Sequence, residues 1–427
     1  MAIKKSEGAI IKALSKRIIE AQRSIRILDM VKWDDSIRQD FFYHKGKRMP
    51  HVDHNYYKNR VMPFVAKEKI EEFRGILRDT HNQMGEYSPI TRLIKRQCDE
   101  YIRAVRMLKA RGTPIFVELS KELYGSPDDV FYVGGPRLCE MGGFLYDLLT
   151  TLDVQLVSEQ DIPRHAPNDA KNLLQTRLNE FFTDDEIKVM VSDNMVADAA
   201  AGADKVKLSA KAKFTDRELK YLEVHEGWVH VGTTINGTIQ PYCSFLSKGA
   251  PSCAVIQEGL AVMTEVVSFS SYPSRMRKIT NRVLAIEKVT QGADFMDIYR
   301  YFMECGQTEE DAYKQSVRVF RGSLPTGGPF TKDLAYAKGF VLLYNFLCYA
   351  ISERRVDVVP ILFSGKLTLD DVPLLLELKA EGLLAEPRYM PEQFRDLSSL
   401  SVWLGFSLFL DQFDFAEIQR NFRFLLA

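Results

Sequence analysis

The chain has no excess of charge of either sign: 57 Lys+Arg balance 57 Asp+Glu in 427 residues, with a pI near 7.1. That balance supplies neither the basic footprint of a nucleic-acid-binding protein nor a polybasic membrane patch. Cysteine is sparse. Cys98, Cys139, Cys243, Cys253, Cys305 and Cys348 are scattered with no CxxC pair, so they read as small buried hydrophobes in a reducing compartment. From Met1 to Leu28 charges recur, without the apolar core of a signal peptide. The longest apolar run, Gly339 to Ile351, is too short to span a bilayer. These absences point to a soluble, cytoplasmic protein with neither nucleic acid nor membrane as partner. No internal repeat, low-complexity tract or clear linker is visible. The length allows a large core. A helical region over 1–110 and a single integrated unit over 111–427 are expected.

What the chain does carry is Tyr221-Leu222-Glu223-Val224-His225-Glu226-Gly227-Trp228-Val229-His230. It reads H-E-x-x-x-H, one residue longer than the zinc-peptidase H-E-x-x-H. Two imidazoles about a turn apart, with a carboxylate beside the first, suit a helix-borne hydrolytic zinc. The spacing carries a geometric problem. Five residues of α-helix advance about 500°, leaving the two rings roughly 140° apart. A π-bulge between them would return both to one face, and Gly227 and Trp228 sit where it would have to form. The alternative is a pair of ordinary helix histidines.

Flanking patterns place this motif. Val206 to Phe214 alternates apolar and polar, as a half-buried strand does, and Glu186 to Ser192 alternates more loosely and could pair with it. Thr215-Asp216-Arg217-Glu218 is a capping box that opens the motif helix, and Asn236-Gly237 reads as its stop. Pro114 to Leu119 and Val130 to Val133 look like short strands, helical periodicity covers 138–149 and 170–182, and helices are expected over 275–290 and 294–322. His44, His51 and His54 lie in a polar stretch that reads as a solvated loop. The fold class expected is α+β, predominantly helical, with a small mixed or antiparallel sheet ahead of the motif helix and a glutamate-bearing helix after it.

That later helix opens near Pro251-Ser252, with Ser252 as N-cap. Ile256, Leu260, Met263 and Val267 make its apolar stripe, and Glu258 and Glu265 lie on a common line seven residues apart. Two histidines plus a glutamate from a following helix form a frequent catalytic zinc set, with a position left for water. Glu258 is therefore the candidate third ligand, against the reading of a solvated helix glutamate. Glu265 could receive a ring N–H from a ligand histidine, or be an ordinary glutamate. Gly259 costs about 1 kcal/mol in a helix, which suggests close backbone approach to the motif helix.

The stretch His225–His230, Asn236-Gly237 with Gln240-Pro241, and above all Gln257-Glu258-Gly259-Leu260-Ala261 resemble the bacterial flavohemoglobin expression-modulating QEGLA motif proteins. That group resembles the eukaryotic microtubule-associated tyrosine carboxypeptidases. Arg26-Ile27-Leu28 and Trp33-Asp34-Asp35-Ser36 fit the bacterial branch, and Ser192-Asp193-Asn194 with Asp198–Gly202 match loosely. The resemblance implies a zincin-like metallopeptidase core holding one zinc ion. It implies His225, His230 and Glu258 as ligands and Glu226 as the catalytic glutamate.

For a peptidase acting on peptide or protein C-termini, further residues are needed. Tyr336 is the candidate donor to the oxyanion, or a half-buried tyrosine at a helix start. Arg321 and Lys332, flanking the loop Leu324–Pro329, are candidates to hold a terminal carboxylate, or are surface charges. That loop lacks G-K-[ST] and is no nucleotide cradle. The strand Val206–Phe214 could pair with substrate backbone. The competing reading is a non-catalytic metal-binding regulatory or scaffold protein. The glutamate beside the first histidine and the absence of a nearby cysteine favour catalysis.

Overall fold

In the computed structural model residues 5–155, 159–193, 195 and 197–425 are described; Asn194 of the loosely matching stretch lies outside them. The chain is predominantly helical with one small sheet, so it is α+β as expected. The amphipathic opening helix Lys5–Gln22 buries Ile11, Leu14 and Ile18. These share a core cluster with Leu260, Leu343 and Leu375, so N-terminal and C-terminal helices meet in one interior. A second cluster gathers Phe41, Phe295 and Phe320, and a third lies under the sheet around Leu174, Leu208 and Leu222.

The sheet has the order β1-β3-β2, with β1 Lys188–Ser192, β2 Ala199–Ala201 and β3 Lys205–Ser209. β1 runs parallel to β3, pairing Val189 with Val206, and β2 runs antiparallel to it, pairing Ala201 with Val206. Val206 and Leu208 are fully buried while Lys207 is exposed, which bears out the alternation read from the sequence. The strand is shorter than 206–214, and its place differs from the one expected of a peptide-pairing strand. β3 is central, so its ladder groups are used on both sides; the unpaired edge in this sheet beside the motif helix belongs to β2.

Two expected strands are not strands. Pro114–Tyr124 is a helix with Pro114 in its first turn and Phe116, Val117, Ser120, Leu123 and Tyr124 buried, a three-to-four spacing. The start Ile115-Phe116-Val117, two β-branched residues around an aromatic one, suggested a strand, but proline in the first turn and tertiary packing favour helix. Val130 makes only an isolated bridge to Arg137. The span 294–322 holds two helices, Phe295–Glu304 and Glu309–Phe320. His44 follows one helix and His54 opens a short one.

The Thr215 capping box is present in full, and the motif helix begins at Asp216. It passes through a π-helical segment, Glu223–Val231, and continues α-helical over Gly232–Thr238. Asn236 and Gly237 are therefore not its stop. Asn236 is buried and donates to the carbonyls of Phe363 and Tyr389 while accepting from Tyr389 N. Gly237 lies flush against the backbone at Leu246–Ser247, where a Cβ would collide.

The glutamate-bearing helix, Cys253–Val267, is here called the ligand helix; Ser252 stands at its N-cap without a side-chain cap bond. Gly259 does permit a close approach, but not to the motif helix. Its partner is Gly339 on the apolar helix Ala335–Ser352, and a Cβ on either glycine would strike the other helix's backbone. With the preceding turn, Thr331–Ser352 runs 22 residues, longer than the expected run. It is apolar enough to cross a membrane by length and composition, although its glycine face is packed on the ligand helix.

Candidate metal centre and the arginine cluster beside it

The π-helical segment brings His225 and His230 together, with ring centroids 4.8 Å apart and edge-to-face. A regular α-helix would splay them, as the five-residue spacing warned. The helix Pro167–Phe181 presses on this segment: Leu178 occupies the space a Cβ at Gly227 would need, and Phe181 stacks on Trp228 at 5.3 Å. The two residues singled out by sequence are thus the ones that accept this neighbour. Thr234 Oγ1 donates to the His230 carbonyl at 2.7 Å, satisfying a carbonyl in the distorted stretch.

Glu258 faces both histidines from the ligand helix. Its Oε2 lies 3.3 Å from His225 Nε2 and 3.4 Å from His230 Nε2. That oxygen is buried and makes no aligned hydrogen bond. All three ligand-type atoms lie within 4.8 Å of one another. A buried carboxylate oxygen and two imidazole nitrogens turned to one point, with no donor among them well placed to satisfy the oxygen, fit a cation between them.

Behind His225 the support is complete. Its Nδ1 meets Glu265 Oε1 at 2.7 Å, and Glu265 is fully buried. Arg275, from the helix Pro273–Thr290, donates to both Glu265 oxygens at 3.1 and 2.9 Å. Burial alone would raise the Glu265 carboxyl; Arg275 and His225 overcome it and hold it at about 2. Burial would likewise lower His225, but Glu258 and Glu265 on its two sides bring the imidazole up to about 10. Arg275 itself lies 4.6 Å over the Tyr221 ring.

Glu226 Oε2 accepts the Ala201 N–H of β2 at 2.7 Å, and its charge acts on His225. Tyr336 packs its ring nearly parallel to His225 at 6.1 Å between centroids and is half-buried. Lys332 Nζ stands 3.4 Å from Glu258 Oε1, so its charge is engaged with the carboxylate. Arg321 is buried, 3.5 Å from Asp333 and 5.4 Å over the Phe330 ring.

Beyond Tyr336 lies a group that sequence reasoning missed. Arg318 grips Asp333 with two hydrogen bonds of 2.7 and 3.0 Å. Arg282 is only 8% exposed and lies 5.0 Å over the Tyr336 ring. Burial lowers Arg321 to about 10 against the pull of Asp333, and burial lowers Arg282 as well. Three arginines thus face one carboxylate. Arg282 lies on the same helix, Pro273–Thr290, a few residues after Ser274-Arg275-Met276-Arg277-Lys278, and in sequence it reads as one more charge on a basic helix face.

A family model described as microtubule-associated tyrosine carboxypeptidase matches residues 39–412. The match spans most of the 427 residues, so the chain belongs to that family, as the QEGLA resemblance implied, and is of carboxypeptidase type. Among curated proteins, none matches it in sequence.

Proposed function

We propose, from that membership, that the chain is a zinc-dependent carboxypeptidase with a zincin-like core, removing the last residue of a peptide or protein. The family description names tyrosine, which makes peptides ending in tyrosine the first substrates to try. The observation that carries the reading is the orphaned Glu258 oxygen facing two imidazole nitrogens at 3.3 and 3.4 Å. A cytoplasmic setting belongs to the same proposal.

His225, His230 and Glu258 would hold the ion. When bound, zinc would supply Lewis acidity, polarising the scissile carbonyl and making a water more acidic. Glu265 orients the His225 ring and, with Arg275 behind it, favours the tautomer whose Nε2 lone pair faces the centre. Glu226 takes the proton from the attacking water and returns it to the leaving nitrogen. Its tie to Ala201 N fixes the carboxylate against the outer edge of β2. The Tyr336 hydroxyl donates to the oxyanion as charge develops.

Elemental analysis of the purified chain tests this. About one zinc per chain is expected, lost in Glu258→Ala and kept in Glu226→Gln. The latter should lose about 10²–10⁴-fold in turnover of a tyrosine-ended peptide. A wild-type chain that takes up no zinc when supplied with it would sink the mechanism and leave a binding or scaffold role.

A further inference from the structure

We propose that Arg282 is the seat of the substrate's terminal carboxylate, an assignment that rests on the carboxypeptidase reading above. Among the described residues it makes no hydrogen bond or ion pair, and its Nε is buried without a partner. An unpaired buried cation is costly, so a chain retains one only where something compensates it. Asp333 offsets it only through space, without a hydrogen bond to Arg282. Both its oxygens are taken by Arg318, and Arg321 reaches one of them at 3.5 Å. Three guanidinium charges thus share one carboxylate, and Arg282 is the one with no hydrogen bond to it.

Position selects a carboxylate to meet it. Tyr336 touches both the metal centre and Arg282, its ring 6.1 Å from His225 and 5.0 Å from the Arg282 guanidinium. In a bound chain the terminal carboxylate lies one residue past the scissile bond, roughly 4 Å along the backbone. Its holder must therefore sit about one side chain away from the histidines, as Arg282 does. The planar guanidinium also suits a carboxylate, which it can grip through two parallel hydrogen bonds. Arg321 and Lys332 fit this role less well, because each already meets a carboxylate, Asp333 and Glu258 respectively.

The experiment compares peptides ending in tyrosine as the free acid and as the amide, on wild type, Arg282→Met and Arg282→Lys. Wild type should prefer the acid by about 100-fold. In Arg282→Met that ratio should fall to near one, most of the change lying in KM, and Arg282→Lys should recover part of it. Equal losses for acid and amide, or an unchanged KM for the acid, would overturn the assignment. If wild type cleaves neither peptide, the activity reading falls and binding decides the seat. Calorimetric titration should then show N-acetyl-L-tyrosine binding wild type but not Arg282→Met, with N-acetyl-L-tyrosinamide binding neither. Equal binding of acid and amide, or none, overturns the seat.

Discussion

Two buried charged regions meet at Tyr336, and they are unfinished in opposite senses. On one side Glu258 and Glu265 converge on the histidines with Arg275 and Lys332 as the facing cations, and an unpartnered oxygen remains. On the other side Arg282, Arg318 and Arg321 share Asp333, and an unpartnered guanidinium remains. One region leaves a carboxylate oxygen unmet and the other a guanidinium nitrogen. Buried charges are tolerated when paired, so the two deficits describe complementary ligands. Together they suit a metal ion and a chain terminus presented to it.

The largest effect that tests this contrast should come from Asp333→Asn. It leaves three buried arginines with no counter-charge and should destabilise the chain by about 3–5 kcal/mol in urea unfolding. A loss below about 1 kcal/mol would mean that solvent already screens the cluster. Glu265→Gln acts on the other region and should weaken zinc binding by about 10–100-fold in a chelator competition. The same residue gives the metal-free protein a pH signature. Its carboxyl is held at about 2, below its unfolded value of roughly 4.3. The stability it contributes, on the order of 3 kcal/mol, is therefore present above about pH 4.3 and lost as pH falls toward 2. Acid unfolding followed by circular dichroism should show this loss in wild type and not in Glu265→Gln. Smallest is Lys332→Met. Removing a cation 3.4 Å from Glu258 should raise zinc affinity about threefold, in line with a modest, partly exposed ion pair; weaker binding would show that the lysine positions Glu258.

Legibility in the sequence followed the range of the interaction. The Thr215 capping box, the alternation at Val206 and Leu208, and the Glu258–Glu265 line are set by neighbours within a few residues, and all stand in the fold. The strain implied by five residues between His225 and His230 was legible too, since helix geometry is fixed. The extent of the π-helical segment was not, because Leu178 and Phe181 from a distant helix bear on it. Pro114–Tyr124 was misread as strand because β-branched composition is a weak signal beside packing.

By itself, then, the amino-acid sequence determined the residues able to make a metal site and the helices that carry them, because periodicity and capping are local. Only the tertiary structure decided that Gly259 opens toward Gly339, that β3 is the middle strand, and that Arg282 is buried beside Asp333 without a hydrogen bond to it. The reason is physical. Whether a charge is paired depends on burial and on partners brought from elsewhere in the chain, and on a helix face Arg275, Arg277 and Arg282 look alike until the neighbouring helices are in place.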